Sequence, residues 1–446
     1  MPNQEYLSNF SFVFIPFALD KEGDFATFNQ SLAKSTAWTV VQDDVRYLHR
    51  YVAECLVSRT KDTGNLCHYR LNPEYAGEVA LNLNDYCYKT KPKTYKGEAG
   101  VTFDFKIADV ELFSFNTSVG VIAFRLQFRK TDPLYIAAAQ YYLRKIDKEP
   151  VCITQEDGTE TCQTFVDLSQ RILGKLVSTY AIDFFFYAAP KNPRANFLTY
   201  IDMPEQENYD EELFYLRWCY HEGFPFDEEE NAGDCTNYKV NDNLRWGISP
   251  SAAVCLVNRT AKSKEFLEGT FQKNFLRQYL LTYVLLLHQK YMLYLLLTKI
   301  SVDAGEDTGK LESYKRQLHA FDSKYVFIKI TEAPQYQRFY ERVMCAFGIK
   351  EMFCDVEQPL SQLTEIQRLQ HEEREQKHDR RTNSILIVLS LLTIVSALTD
   401  ALGITSNIDW LISTQLSHGL QLGVAAAVLC VSIIMLVRLI FLRNKE

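Results

Sequence analysis

SILIVLSLLTIVSALTDALGI, residues Ser384–Ile404, and GLQLGVAAAVLCVSIIMLVRLIFL, residues Gly419–Leu442, decide how this chain is organised. Either stretch is long enough, at 1.5 Å per helical residue, to cross about 30 Å of hydrocarbon. The first is apolar apart from Ser384, Ser390, Thr393, Ser396, Thr399 and Asp400, the second apart from Gln421, Ser432 and Arg438. The segment between them, Thr405–His418, holds no Lys or Arg, whereas Arg374, Lys377, Arg380 and Arg381 precede the first stretch and Arg438, Arg443 and Lys445 end the second. Basic residues mark the cytoplasmic side, so the expected topology is a hairpin with both termini inside and a short outer loop. The expected location is the inner (plasma) membrane, in a multi-pass arrangement, with the chain up to Asn383 in the cytoplasm.

A third apolar stretch, Tyr279–Leu297, is rich in Leu and Tyr but carries His288, Gln289 and Lys290 at its centre. A central Lys alone opposes insertion by about 2.5–3.5 kcal/mol. It is expected to be a buried helix of the soluble part. An odd number of spans would also place the termini on opposite sides, against the charge pattern.

Of the 446 residues, 47% are hydrophobic, and 29 Phe with 26 Tyr promise an aromatic-rich core. A net charge of −8 argues against a chain-wide nucleic-acid surface, and no direct nucleic-acid binding is expected. The 11 cysteines show no Cys-x-x-Cys pair and no zinc-type grouping with histidines; they are expected to be reduced, mostly buried thiols. Met1–Phe10 lacks a basic segment followed by an apolar one, so no signal peptide is expected.

The first 263 residues read as an α/β (α+β) cytoplasmic domain with a mainly antiparallel sheet. Phe10–Phe17 is a candidate first strand. Ile122, Phe124, Leu126 and Phe128 alternate with less apolar neighbours, the period of a half-buried strand. Phe103 and Phe105, then Leu112–Phe115, suggest two strands joined by a turn at Ala108-Asp109, with a further turn at Asn116-Thr117. Pro133 after Asp132 opens a helix to about Ile146, Thr164–Leu176 reads as another, and Ala195–Ile201 as a strand. Residues 264–358 form a helical segment: a long helix to about Ile300, a turn through Asp303–Asp307, a return helix Lys310–Phe321, and a shorter helix capped by Thr331 and Glu332 that ends near Gly348. Pro359 suits the first turn of the last helix, and nothing breaks it before Gly403, a length of about 65 Å. Its division is a stalk at 359–383, a first transmembrane helix at 384–404, an outer loop at 405–418, a second transmembrane helix at 419–442 and a cytoplasmic tail at 443–446.

Stepping by three and four from Asn383 meets Leu386, Ser390, Thr393, Ala397 and Asp400, a stripe of mostly small or polar residues on one face of an apolar helix. Such a face suits helix packing in lipid. It equally suits the lining of a pore built from several copies, with Asp400 as an acidic ring at the outer mouth.

Taken in order, the α/β domain, the antiparallel helical segment, the stalk running into a first span, the short outer loop and the second span ending in basic residues resemble the CorA family of magnesium channels. The resemblance covers most of the chain and is clearest from Phe271 to Leu442. It implies a homo-oligomer, a pentamer in that family, in a lipid bilayer, with the first spans around an ion path gated by the cytoplasmic domains. It also implies Mg2+ or another divalent cation as the ion. The family's Gly-Met-Asn motif is missing: the corresponding stretch is Ala401-Leu402-Gly403-Ile404-Thr405-Ser406-Asn407. Asn407 and Asp409 of the outer loop, with Asp400, could still attract a hydrated divalent ion. The chain is similar as well to the divergent CorA-like effectors of type III CRISPR antiviral defence, which implies an adenine-containing nucleotide messenger, of the SAM-AMP kind, as trigger. A membrane-tethered binding module without a pore is the third alternative.

Lys89, Lys91, Lys93 and Lys96 form a basic loop that could hold a nucleotide or phosphate, or be only a solvated loop. Asp227, Glu228, Glu229 and Glu230 could bind a regulatory cation, although adjacent carboxylates lack the alternation of a calcium loop. Gly305–Lys310 is one residue short of a phosphate loop and has Leu311 where Ser or Thr is needed, so it reads as a turn. No Gly-x-Ser-x-Gly or His-Glu-x-x-His motif occurs, and the chain is not expected to be an enzyme.

Overall fold

The structure is a computed structural model that describes residues 8–19, 24–57, 65–78, 86–89, 100–154, 159–188, 193–203, 209–221, 223–226, 237–258, 263–303 and 308–406. Two compact units divide the chain, Met1–Glu365 and Ile366–Glu446.

The first unit is built on one mixed, mainly antiparallel sheet. Its strands are β1 Asn9–Ala18, β2 Trp38–Val40, β3 Leu66–Leu71, β4 Tyr86–Lys89, β5 Thr102–Phe115, β6 Val119–Phe128, β7 Val151–Thr154, β8 Glu160–Gln163, β9 Asn196–Met203, β10 Tyr238–Asn241, β11 Leu244–Ile248 and β12 Ala252–Asn258. The order is β10-β11-β12-β9-β1-β6-β5-β4-β7-β8, with β3 also pairing β5 and β2 pairing β3. Among the described pairs only β9–β12 is parallel. β1 sits at the centre between β6 and β9 and is buried along its whole length, which is why NFSFVFIPFA carries apolar residues at successive positions. A strand covered on both faces needs no polar alternation.

Helices cover both faces. On one side Val13, Ile15, Phe17, Leu112, Ile122 and Phe124 pack against the helices α1 Asp24–Lys34, α4 Pro133–Leu143, α5 Phe165–Leu173 and α7 Asp210–Trp218. The short helices α3 Pro73–Glu78 and α6 Lys175–Thr179 complete this side, while α2 Arg50–Leu56 packs Val52 and Leu56 on the opposite face. On the other side Phe10, Phe12, Phe14, Phe113, Tyr200 and Trp246 meet the helical segment. That segment begins at Lys264, passes through π-helical turns at Leu267–Phe271 and Phe275–Tyr279, and continues as α8 Leu280–Asp303; α9 Thr308–Tyr325, α10 Pro334–Ala346 and α11 Ile349–Ser406 follow. Trp246 joins the two layers, its ring 4.5 Å from that of Phe339 and 5.1 Å from that of Tyr279.

Local chemistry explains most boundaries. Asp132 caps α4 by accepting from Leu134 N at 3.1 Å, with Pro133 in the first turn. Thr164 and Asp167 form a reciprocal capping box on α5. Gly174, at φ +55°, ends that helix, so the stretch expected as one helix to Leu176 becomes α5 and α6.

Four further expectations are corrected. Phe103–Phe115 is one strand, not two: Ile107 pairs Leu126 and Asp109 pairs Arg125, so Ala108 is an inserted bulge residue. The bulge reverses the alternation, which places Phe103, Phe105 and Ile107 on the same face as Val110 and Leu112. α10 is capped by neither Thr331 nor Glu332. Its N-cap is Ala333, without a side-chain bond, while Thr331 Oγ1 accepts from Ala333 N and Glu332 pairs with Lys329. Pro359 lies inside the last helix rather than in its first turn, because Gly348 at φ +63° ends α10 and α11 starts at Ile349. Finally, Cys152 and Cys162 are a disulfide, not thiols; they stand directly opposite each other in the β7–β8 hairpin.

Candidate functional site: an uncovered apolar helix

Among the described residues two helical stretches are largely apolar, and the fold treats them differently. The helix Leu267–Asp303 is long and apolar enough to cross a membrane, but 83% of its most apolar stretch is buried within the protein. It is the core helix of the first unit. Each of its three polar central residues has a protein partner, although His288 Nδ1 and Gln289 Oε1 are buried without a hydrogen bond. His288 Nε2 lies 2.7 Å from Thr117 Oγ1 and its ring stacks on Phe115 at 3.8 Å; burial pushes its pKa down to about 3, leaving it neutral. Gln289 Nε2 donates to Tyr325 O and, at 3.3 Å, to Tyr340 OH.

Lys290 Nζ donates to Pro250 O at 3.1 Å and Asn196 Oδ1 at 3.3 Å and lies over the Phe347 ring at 4.6 Å. Burial brings its pKa down to about 8. Both acceptors keep another donor without it: Asn196 Nδ2 reaches Pro250 O at 2.7 Å and Tyr291 OH reaches Asn196 Oδ1 at 2.8 Å. Lys290→Met is therefore expected to raise stability at pH 7 by about 1–3 kcal/mol, because a desolvated charge is removed and no polar atom is orphaned. The sign follows from the lowered pKa. The buried charge is unfavourable below about pH 8, and the variant's advantage should fade as the pH rises toward 10.5, where the lysine is neutral in both states. Urea unfolding at pH 7 and pH 10 checks this.

The second apolar stretch is Ile385–Ile394 of α11. Ile385, Leu386, Val388, Leu389, Leu392 and Ile394 are each more than half exposed. An all-round apolar helix is stable only where something apolar covers it. Asn383, Leu386, Ser390 and Thr393 of the expected stripe are exposed on this helix. Ser390 Oγ donates to Leu386 O at 2.8 Å, and Thr393 Oγ1 bonds Leu389 O at 3.0 Å and Ser390 O at 2.8 Å. Both hydroxyls are thus satisfied by carbonyls of their own helix. Ala397 and Asp400 belong to the same helix, with side-chain surroundings outside the described residues; Asn407, Asp409 and Gly419–Leu442, expected as a second span, also lie outside them.

Of the other candidates, Lys89 ends β4, while Lys91, Lys93, Lys96 and Asp227, Glu228, Glu229 and Glu230 lie outside the described residues. Among the described residues no group of three or more His, Cys, Asp or Glu is arranged to hold a metal ion. Lys310 of α9 is tied to Asp303 of α8 at 2.8 Å, and the turn expected between them lies at 304–307, outside the described residues.

One cluster was not anticipated. His68 and Arg70 alternate on β3, Asp109 and Glu111 on β5, and Arg125 faces Asp109 from β6. His68 Nδ1 lies 2.9 Å from Asp43 Oδ1 and Nε2 lies 3.3 Å from Glu111 Oε2, while its ring stacks on Phe113. Arg70 reaches Glu111 at 2.6 Å and Asp109 at 3.1 Å, and Arg125 reaches Asp109 at 3.4 Å. Burial opposes the charge on His68, but Asp43 and Glu111 outweigh it and hold its pKa up at about 9. Burial likewise pushes Glu111 up, and His68 and Arg70 bring it below its ordinary value. Burial raises Asp109 in spite of Arg70 and Arg125. Three cations meet three carboxylates, so the cluster is closed on itself, and at neutral pH His68 is an imidazolium with no lone pair to act as a base. The clue in the sequence was His68-x-Arg70 with Asp109-x-Glu111, opposite charges at strand spacing; nothing in either segment showed that the two strands pair.

No family model, no curated protein and no solved structure matches this chain, so the resemblance to the CorA family stands on the order of its own sequence elements.

Proposed function

We propose that the chain is a homo-oligomeric membrane channel on the CorA plan, anchored by a hairpin of Ser384–Ile404 and Gly419–Leu442, whose cytoplasmic sheet domain controls a divalent-cation path along the first spans. The observation that carries it is the row of large apolar side chains, Ile385 to Ile394, left uncovered on α11, whereas the apolar helix Leu267–Asp303 is buried. Bilayer or neighbouring copies of the same helix would cover that row. With Leu386, Ser390, Thr393, Ala397 and Asp400 turned to a common axis, the path would be apolar to mildly polar and end at a carboxylate ring suited to a hydrated Mg2+ or similar ion.

The absence of Gly-Met-Asn between Ala401 and Asn407 favours a second reading, a defence effector of the type III CRISPR kind opened by an adenine-containing nucleotide. Flux of Mg2+ into proteoliposomes separates the readings. The channel reading expects flux without nucleotide, and Asp400→Asn is expected to lower it about tenfold if the acidic ring concentrates the cation. Flux only on adding nucleotide would favour the effector, and none under either condition would leave a tether without a pore. Flux that is indifferent to Asp400→Asn would remove the acidic mouth from the account.

A further inference from the structure

We propose that Cys87, Cys152 and Cys162 form a thiol–disulfide exchange row at the edge of the sheet, in which the bond at Cys152 passes between Cys162 and Cys87. The three residues occupy one line across three adjacent strands. Cys152 on β7 is directly opposite Cys162 on β8, and on its other side directly opposite Cys87 on β4. Directly opposed residues of neighbouring strands point to the same face, with strands about 4.8 Å apart. Cys152 and Cys162 hold the disulfide, while Cys87 retains its thiol.

Exchange at sulfur needs the incoming thiolate to approach along the axis of the bond it breaks. In this row the Cys152–Cys162 bond runs across the strands, and Cys87 stands on the far side of Cys152. The Cys87 thiol gives its proton to solvent, its sulfur forms a bond to Cys152 Sγ, and the Cys152–Cys162 bond breaks with its electron pair leaving on Cys162 Sγ, which takes up a proton from water. No oxidant or reductant is consumed. Burial fits the direction: Cys162 is exposed, so the departing thiolate is released into water, while Cys152, which keeps a bond in both states, is buried.

The two states differ mechanically. With Cys152 joined to Cys162 the staple lies within the β7–β8 hairpin; with Cys152 joined to Cys87 it ties that hairpin to β4, the next strand inward. Three thiolates strung along a line do not converge on a point, which disfavours a metal site for the same residues.

The test is disulfide mapping of the full-length protein in detergent, equilibrated in a glutathione redox buffer, quenched in acid, alkylated and cut with trypsin. Cys87 falls in the tryptic peptide Leu71–Lys89, and Cys152 and Cys162 share Glu149–Arg171, so the original bond is a link within one peptide and the exchanged bond a link between two. In Cys162→Ser the link between the peptides is expected; recovery of Cys87 and Cys152 both fully alkylated would overturn the proposal. The wild-type chain supplies an independent measurement should that variant fold poorly. Starting from the oxidised protein, Cys162 should be trapped slowly by iodoacetamide, and Cys87→Ser should slow that trapping about tenfold or more, because the attacking sulfur is gone. Equal trapping in both proteins would also overturn it.

Discussion

His68→Leu is expected to destabilise the sheet-bearing unit by about 3–5 kcal/mol at pH 7, the range for removing one partner from a buried ionic group. The imidazolium is the cation that lies between Asp43 and Glu111, and His68 and Glu111 are both nearly inaccessible to water. Arg70 still pairs with Glu111 in the variant, but Asp43 loses its close contact with the ring, and the Phe113 ring loses its stacking partner. The pH dependence gives a second check. A pKa raised from 6.5 to about 9 means the protonated His68 contributes stability that is full below about pH 6.5 and is lost as the pH rises through about 9. The wild type should therefore lose about 3 kcal/mol relative to the variant between pH 6 and pH 10, since each tenfold gain in proton affinity on folding is worth about 1.4 kcal/mol. On the acid side Glu111, held below its ordinary value, contributes above about pH 4.5 and loses that contribution as the pH falls further. Urea midpoints across this range would sink the account if the difference between wild type and variant did not change with pH.

The second large effect concerns where the protein partitions. The full chain should remain in the membrane pellet after alkaline carbonate extraction, and a chain ending at Thr382 should move entirely to the supernatant. Covering six exposed Leu, Ile and Val side chains at about 1.5–3 kcal/mol each comes to on the order of 10 kcal/mol, enough to make the change nearly all-or-none. The truncation also distinguishes the two apolar helices. If the shortened chain still sedimented with membranes, the anchor would be the helix Leu267–Asp303, and its burial against Phe14, Trp246 and Phe339 would have to be abandoned in the membrane. Release of the full-length chain by carbonate would instead point to cover by another protein surface.

Elements with a local signal were legible. β1, β6 and β9 stand out because runs such as Phe10–Phe17 are apolar at strand length, and α4 and α5 because Asp132-Pro133 and Thr164-x-x-Asp167 satisfy the first free amides of a helix. The polar centre of Tyr279–Leu297 likewise marked it as a buried helix, and His288, Gln289 and Lys290 find protein partners there. The bulge at Ala108 was not legible as such. One inserted residue inverts the face of everything after it, and in one dimension that inversion looks like a turn.

The buried ion cluster and the three-cysteine row were hidden for a different reason. His68 and Glu111 are 43 positions apart, counted as 111 minus 68, and Cys87 and Cys152 are 65 apart, counted as 152 minus 87; only pairing of β3 with β5 and of β4 with β7 brings them together. For the apolar stretch on α11 the sequence by itself determined that Ser384–Ile404 is long enough for a helix and largely apolar, with Ser390, Thr393 and Asp400 along one stripe, because composition and period are local properties. What only the tertiary structure decided is that Leu280–Asp303, equally apolar, is covered by the sheet while Ile385–Ile394 is not, because burial depends on which surfaces the rest of the chain brings to a helix, and that is a property of the whole fold.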